Sequence, residues 1–237
     1  MARTERDPSR GGLAPAEAES YDAARGMRRR APGSGGGGLL LASGPEVPIE
    51  RSALLVIDVQ DSFKALPTWP RRSSTVFEEN VDRLIGAYRE AALPVIFILH
   101  TDEDETFLRS SPWFKLMDFI AVREGEPVLV KTTRNAFTST RLQELLTAAG
   151  VRRLAIAGIQ TEQCCETTAR LAADLGYDVD FVIDATLTFP IADPETGEEL
   201  STAEILRRTE FVLRRRFARI TPVERLIRQV ASANAGA

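Results

Sequence analysis

From position 52 onward, apolar residues fall in short, nearly unbroken runs, and between the runs they recur at three- and four-residue spacing. Ala53-Leu-Leu-Val-Ile57, Pro94-Val-Ile-Phe-Ile-Leu99, Pro127-Val-Leu-Val130 and Leu154-Ala-Ile-Ala157 have strand length and no polar face, as expected of strands covered on both sides. The pattern predicts strands near 53–58, 94–99, 128–131, 153–158, 179–184 and 217–221. It predicts helices near 75–92, 139–149, 163–175, 202–214 and 222–232, with Pro94, Gly150 and Gly176 marking turns. Such alternation implies an α/β fold: three α/β/α layers around a doubly wound, mostly parallel six-stranded sheet. On the helix at 163–175, Cys165, Thr168, Ala169, Ala172 and Leu175 fall at helical spacing, which suits a packed face.

Residues 1–48 break this pattern. Arg, Gly, Ala, Pro and Ser dominate, with Gly35-Gly-Gly-Gly38 in the middle, and too little apolar surface is available to offset the entropy of ordering. They are read as a disordered extension, with one domain at 49–237 and Met27 as an alternative start. Arg28-Arg-Arg30 followed by Leu39-Leu-Leu41 has the order of an export signal, but glycines dilute its apolar part and no convincing cleavage pattern follows.

Charge and cysteine usage narrow the classes further. A net charge of −4 and a pI near 5.3 supply no basic field for nucleic acid. The longest apolar runs are far too short to cross a bilayer. Two adjacent cysteines, Cys164 and Cys165, do not make a disulfide framework, which points to a reducing compartment and a soluble, cytoplasmic protein.

In a parallel sheet the carboxyl ends of the strands share one edge, where ligands bind. One apolar run leads into Asp58, another into Lys131, and a third ends at Gly158 shortly before Cys164. Thr161 is expected to cap a helix opening at 162 or 163, placing Cys164 in its first turn. The helix dipole and unpaired N–H groups there favour a thiolate. Each residue also has a structural reading: a small buried hydrophobe, a turn cap, a lysine reaching solvent. Their convergence on one edge favours a reactive site.

Asp58 in LLVIDVQDSF, Lys131 in VLVKTTRNAF and Cys164 in GIQTEQCCETTARLAADLGYDVDFVIDA resemble the Asp-Lys-Cys pattern of the isochorismatase-like cysteine hydrolases. That superfamily includes nicotinamidases, N-carbamoylsarcosine amidohydrolases and ureidoacrylate-type amidohydrolases, and the resemblance runs from about Ser52 to Asp184. It implies a cysteine-dependent hydrolase of a small amide, carbamoyl or ureido compound, working through a covalent thioacyl intermediate. Cys164 is then the nucleophile, Asp58 its proton acceptor and Lys131 the group holding Asp58, with the backbone N–H groups of Gln160 and Cys164 facing the oxyanion. The resemblance also implies a cis Ile159–Gln160 bond and a homo-oligomer. The spacing of Thr161, Thr168 and Ala169 selects Cys164 over Cys165, which is left to pack. Two alternatives stand beside this reading. One is an isochorismatase-type vinyl-ether hydrolase, a type that typically lacks the cysteine; the other is an idle member serving as an oligomeric scaffold.

Phe63, His100 and Arg134 are candidate substrate contacts: a pocket wall, a strand-end imidazole and a guanidinium suited to a carboxylate. Gln60 and Phe63 follow Asp58 as in the family's Asp-x-Gln-x-x-Phe, while position 61 is Asp where many relatives have Asn. Trp69, Trp113 and Phe137 carry no stronger signal. The acidic run after His100 is read as a solvated loop, because a single histidine makes a weak zinc site. The metal-binding Asp and several histidines that the resemblance attributes to nicotinamidases are missing, so neither metal nor other cofactor is expected. Arg214-Arg-Arg216, continuing to Arg219, is read as a solvated helix terminus or an oligomer contact.

Overall fold

The computed structural model describes residues 46–214 and 216–234. The expectations placed on residues 1–45 and on Arg215 lie outside the described residues. In chain order the elements are β1 (Ser52–Ile57), α1 (Phe77–Glu90), β2 (Val95–His100), β3 (Val128–Lys131), α2 (Leu142–Ala148) and β4 (Arg153–Ile159). They continue with α3 (Glu166–Asp174), β5 (Asp178–Leu187), β6 (Ile191–Ala192), β7 (Glu199–Leu200), α4 (Thr202–Leu213), β8 (Arg219–Ile220) and α5 (Val223–Asn234). Six parallel strands form one sheet in the order β3-β2-β1-β4-β5-β8.

Every residue of β1, β2 and β4 is buried, which explains why their sequences show no polar alternation. Side chains of β1 still alternate between two cores. Leu54 and Val56 pack with Val81, Leu84 and Ile85 of α1 and Val223, Leu226 and Val230 of α5. Ala53, Leu55 and Ile57 pack with Leu142 and Leu146 of α2, Ala169 and Ala172 of α3 and Leu213 of α4. The sheet is thus covered on both faces, in the three layers expected. Strand order reverses between β1 and β4, so the carboxyl ends of these two strands flank the crevice where such folds bind ligands.

Three departures from the predicted elements have local causes. The β6–β7 hairpin has strands of two exposed residues each, too short for a periodic signal, and is closed by Asp193, whose Oδ1 accepts from the N–H groups of Glu195 and Thr196. Leu175 leaves the packed face because α3 has already ended at Asp174. Arg219 is no part of a solvated terminus: it donates to Asp180 at 3.0 and 3.2 Å, and Arg153 donates to the same carboxylate at 2.6 Å. At the amino-terminal end of the sheet, Val47 is already attached, donating to Asp178 at 3.0 Å and accepting from Arg153 at 3.2 Å.

Candidate active site

Two unusual backbone positions bring the ends of β1 and β4 together. Gly158 has φ 136°, and a Cβ there would lie 1.9 Å from the carbonyl oxygen of Ile57, so only glycine fits. Asp58, next along the chain from Ile57, has φ 54°, a left-handed conformation that aspartate tolerates better than most residues. Its N–H still donates to the Ile98 carbonyl at 2.8 Å, continuing the ladder, and its side chain lines the crevice. Lys131 ends β3 in register with His100 and is fully buried. Its ammonium lies 2.8 Å from Asp58 Oδ2 and donates to Cys164 Sγ at 3.3 Å. The contact with Asp58 is an ion pair without hydrogen-bond alignment; among the described residues, neither carboxylate oxygen has an aligned donor.

Cys164 reaches this point by a different route from the one predicted. The Ile159–Gln160 bond is cis, as the resemblance implies. Residues Thr161–Cys165 then form a wide π-type turn, in which the N–H groups of Gln163 and Cys165 both donate to the Gln160 carbonyl at 3.2 Å. The α-helix opens only at Glu166. Thr161 caps nothing; its hydroxyl donates to Thr186 Oγ1 at 2.9 Å. Thr168 adds a second tie, donating to the Cys164 carbonyl at 2.6 Å and accepting from the Ala136 N–H at 3.1 Å.

Electrostatics also corrects the expectation of a ready thiolate. Burial, followed by the charge of Asp58, pushes the Cys164 thiol up to about 12, and the opposing pull of Lys131 is smaller. Burial likewise lifts Asp58 above the ordinary aspartate value, against Lys131. The resting site therefore holds a neutral thiol beside a carboxyl group whose affinity for a proton is raised. Cys165 is fully buried in the core shared with α2 and α3, in keeping with a packing role.

Asp58 and Cys164 form part of a cavity of about 160 Å³. Phe63, Leu66 and Phe107 give it an apolar wall, His100, Asp102 and Arg134 a polar one, and Gln160 and Gln163 complete it. Phe63 meets Phe107 edge-on, with centroids 5.0 Å apart, and stacks on Phe189 at 6.1 Å, so it serves both wall and core. His100 Nε2 lies 2.6 Å from Arg134 Nη1 and 3.0 Å from Asp102 Oδ2. Gln60 clamps the end of β2: its Oε1 accepts from the His100 N–H at 2.8 Å and its Nε2 donates to the His100 carbonyl at 3.1 Å. Asp61 pairs with Lys64 and Lys115, both at 3.1 Å, outside the cavity lining. Trp69, Trp113 and Phe137 do not line the cavity. A larger cleft of about 500 Å³, by Pro94 and Pro127 at the amino-terminal ends of β2 and β3, touches none of the reactive groups. The chemistry selects the smaller one.

The sequence reading missed Asp102, which belongs to the run taken as a solvated loop. His100 and Asp102 stand two apart, the spacing that puts strand-end side chains on one side, and that signal was available. The residues present do not fit a histidine-rich metal centre. The single histidine gives its Nε2 to a guanidinium, and among the described residues no group of three or more His, Cys, Asp or Glu is placed to hold an ion.

The chain matches the family described as the isochorismatase domain over residues 52–211. It is 29% identical over 180 residues to the uncharacterized isochorismatase family protein YrdC of Bacillus subtilis strain 168, covering 75% of this chain and 95% of that protein. It is 32% identical over 170 residues to Nicotinamidase 3 of Arabidopsis thaliana, covering 65% and 79%. A crystal structure of a cysteine hydrolase from Pseudomonas syringae pv. phaseolicola 1448A superposes with a TM-score of 0.72 at 25% identity, covering 81% of this chain and 99% of that one. Among the described residues no helix is long and apolar enough to cross a membrane.

Proposed function

The chain belongs to the isochorismatase family of hydrolases, and we propose that it hydrolyses a small amide, carbamoyl or ureido compound through Cys164, Asp58 and Lys131. One observation carries this reading: a buried ammonium 2.8 Å from Asp58 and 3.3 Å from Cys164 Sγ, beside a cavity of about 160 Å³. Similarity to a nicotinamidase and to a cysteine hydrolase supports it.

In this reading Cys164 attacks the substrate carbonyl as a neutral thiol gives up its proton. Asp58, lifted by burial, accepts that proton and later delivers it to the departing amine or ammonia. Lys131 stabilises the sulfur as charge develops there, and backbone N–H groups of Gln160 and Cys164 meet the oxyanion. Attack of Cys164 expels the amine and leaves a thioester or thiocarbamate, which water cleaves to regenerate the thiol.

The test is ammonia release from a panel of small amides, ureido acids and carbamoyl amines, with wild type, Cys164→Ala, Asp58→Asn and Cys165→Ala run in parallel. Loss in the first two variants and retention in the third supports the assignment. Turnover by Cys164→Ala equal to wild type refutes it.

A further inference from the structure

We propose that Arg134 selects substrates carrying a carboxylate, so that the scissile bond belongs to a small acid amide, ureido acid or carbamoyl acid rather than to a neutral amide. The proposal rests on the hydrolase reading above and concerns the polar wall of the same cavity. Along the polar wall, the Asp102 carboxylate is already paired with a cation, whereas the Arg134 guanidinium keeps donors to spare. Asp102 Oδ1 accepts from the Asp104 N–H at 2.9 Å, and its Oδ2 faces His100 at 3.0 Å and Arg134 at 3.6 Å. A cationic substrate would have to break these contacts.

Arg134 is placed differently. Its Nη1 reaches His100 Nε2 at 2.6 Å, and among the described residues its Nε and Nη2 have no partner. The Arg134 side chain is about half exposed, at 54%, while the His100 it contacts is buried. Burial, then Lys131, holds His100 below the ordinary histidine value. A neutral ring takes the Arg134 N–H on Nε2, which leaves the proton on Nδ1. Among the described residues that proton has no partner either. Asp102 Oδ2 stands 3.6 Å from the same Nη1, an ion-pair distance rather than a hydrogen bond, so imidazole and carboxylate flank one corner of the guanidinium while its remaining fork stays free. A rigid planar fork with unspent donors matches a carboxylate in two-point contact. The small cavity limits that acid to a few carbons.

Binding and turnover separate this proposal from the reading beneath it. Malonamate, succinamate and glutaramate are each compared with the neutral diamide of equal length. Affinities are measured by titration calorimetry on Cys164→Ser protein, and ammonia release is measured on wild type. The expected result is at least one acid bound about tenfold tighter than its diamide, a margin typical of one charge-assisted hydrogen bond. Arg134→Gln brings that ratio near one, and Arg134→Lys, which keeps the charge but loses the fork, retains part of it. Equal affinity within every pair, no binding of any acid, or a preference that survives Arg134→Gln overturns the proposal. An acid preference in binding without turnover would leave the anion site standing and sink the Cys164 chemistry. Turnover without preference would do the reverse.

Discussion

Gly158 and Ile57 sit in register on neighbouring strands, so close that a Cβ on the glycine would stand 1.9 Å from the Ile57 carbonyl oxygen. The atom it would meet is backbone and cannot swing aside. Gly158→Ala is therefore expected to cost about 2 kcal/mol or more, since it combines a clash with a φ that L-residues avoid. Urea unfolding monitored by circular dichroism reads this directly. An unchanged midpoint would mean that the two strand ends are not in contact.

Removing Asp58 should make Cys164 more reactive toward a simple electrophile while abolishing turnover. Burial and the Asp58 charge push the thiol up to about 12, and Lys131 pulls the other way. Asp58→Asn leaves the ammonium unopposed, so alkylation by iodoacetamide at neutral pH should speed up; Lys131→Met should slow it. Mass spectrometry of the labelled thiol gives both rates. Slower labelling of Asp58→Asn than of wild type would contradict this charge arrangement.

The acid limb of the pH–rate profile follows from the base. Asp58 must be ionised to accept the thiol proton, and its value is raised by burial. As pH rises through that raised value the ionised fraction grows, so kcat/KM should climb along a limb lying above the ordinary aspartate value of about 3.9. A limb at or below that value would remove Asp58 from the role.

Asp180 makes an opposite prediction for stability. Burial pushes its carboxyl up, but Arg219 and Arg153 together outweigh burial and hold it below its ordinary value. A depressed folded value contributes stability that is present above the unfolded value of about 3.9 and is lost as pH falls through the folded one. Asp180→Asn leaves two guanidinium groups without their carboxylate and should cost about 3–5 kcal/mol at neutral pH. The cost should shrink toward pH 3 in urea titrations. A penalty independent of pH would show that packing, not charge, is at stake.

The strands were legible because burial on both faces leaves runs such as Leu54–Ile57 without polar positions, and the three reactive groups were legible because each closes or closely follows such a run. The chemical state of Cys164 was not. A cysteine near a helix start reads as activated, whereas enclosure and a neighbouring carboxylate decide otherwise, and both are tertiary facts. The π-type turn escaped for a similar reason. It is held by two N–H groups converging on the Gln160 carbonyl rather than by a cap at Thr161, and a threonine before a helical pattern looks the same in either case. Asp102 was obscured by composition: the four residues from Asp102 to Glu105 are all acidic, and only its two-residue spacing from His100 marks the one that the fold brings beside that ring.

Thr168 gives the site a division of labour. Its hydroxyl joins the carbonyl of Cys164 to the N–H of Ala136, while Lys131 joins Cys164 from the other direction. Positions 132–135 therefore form a short arch moored at both feet to the nucleophile, with Arg134 near its crown. The Arg134 side chain reaches out to His100 and Asp102 and takes no part in holding the arch, so it can be exchanged without shifting the moorings. Descendants of this chain could acquire new substrates at position 134 while inheriting the reacting groups unaltered.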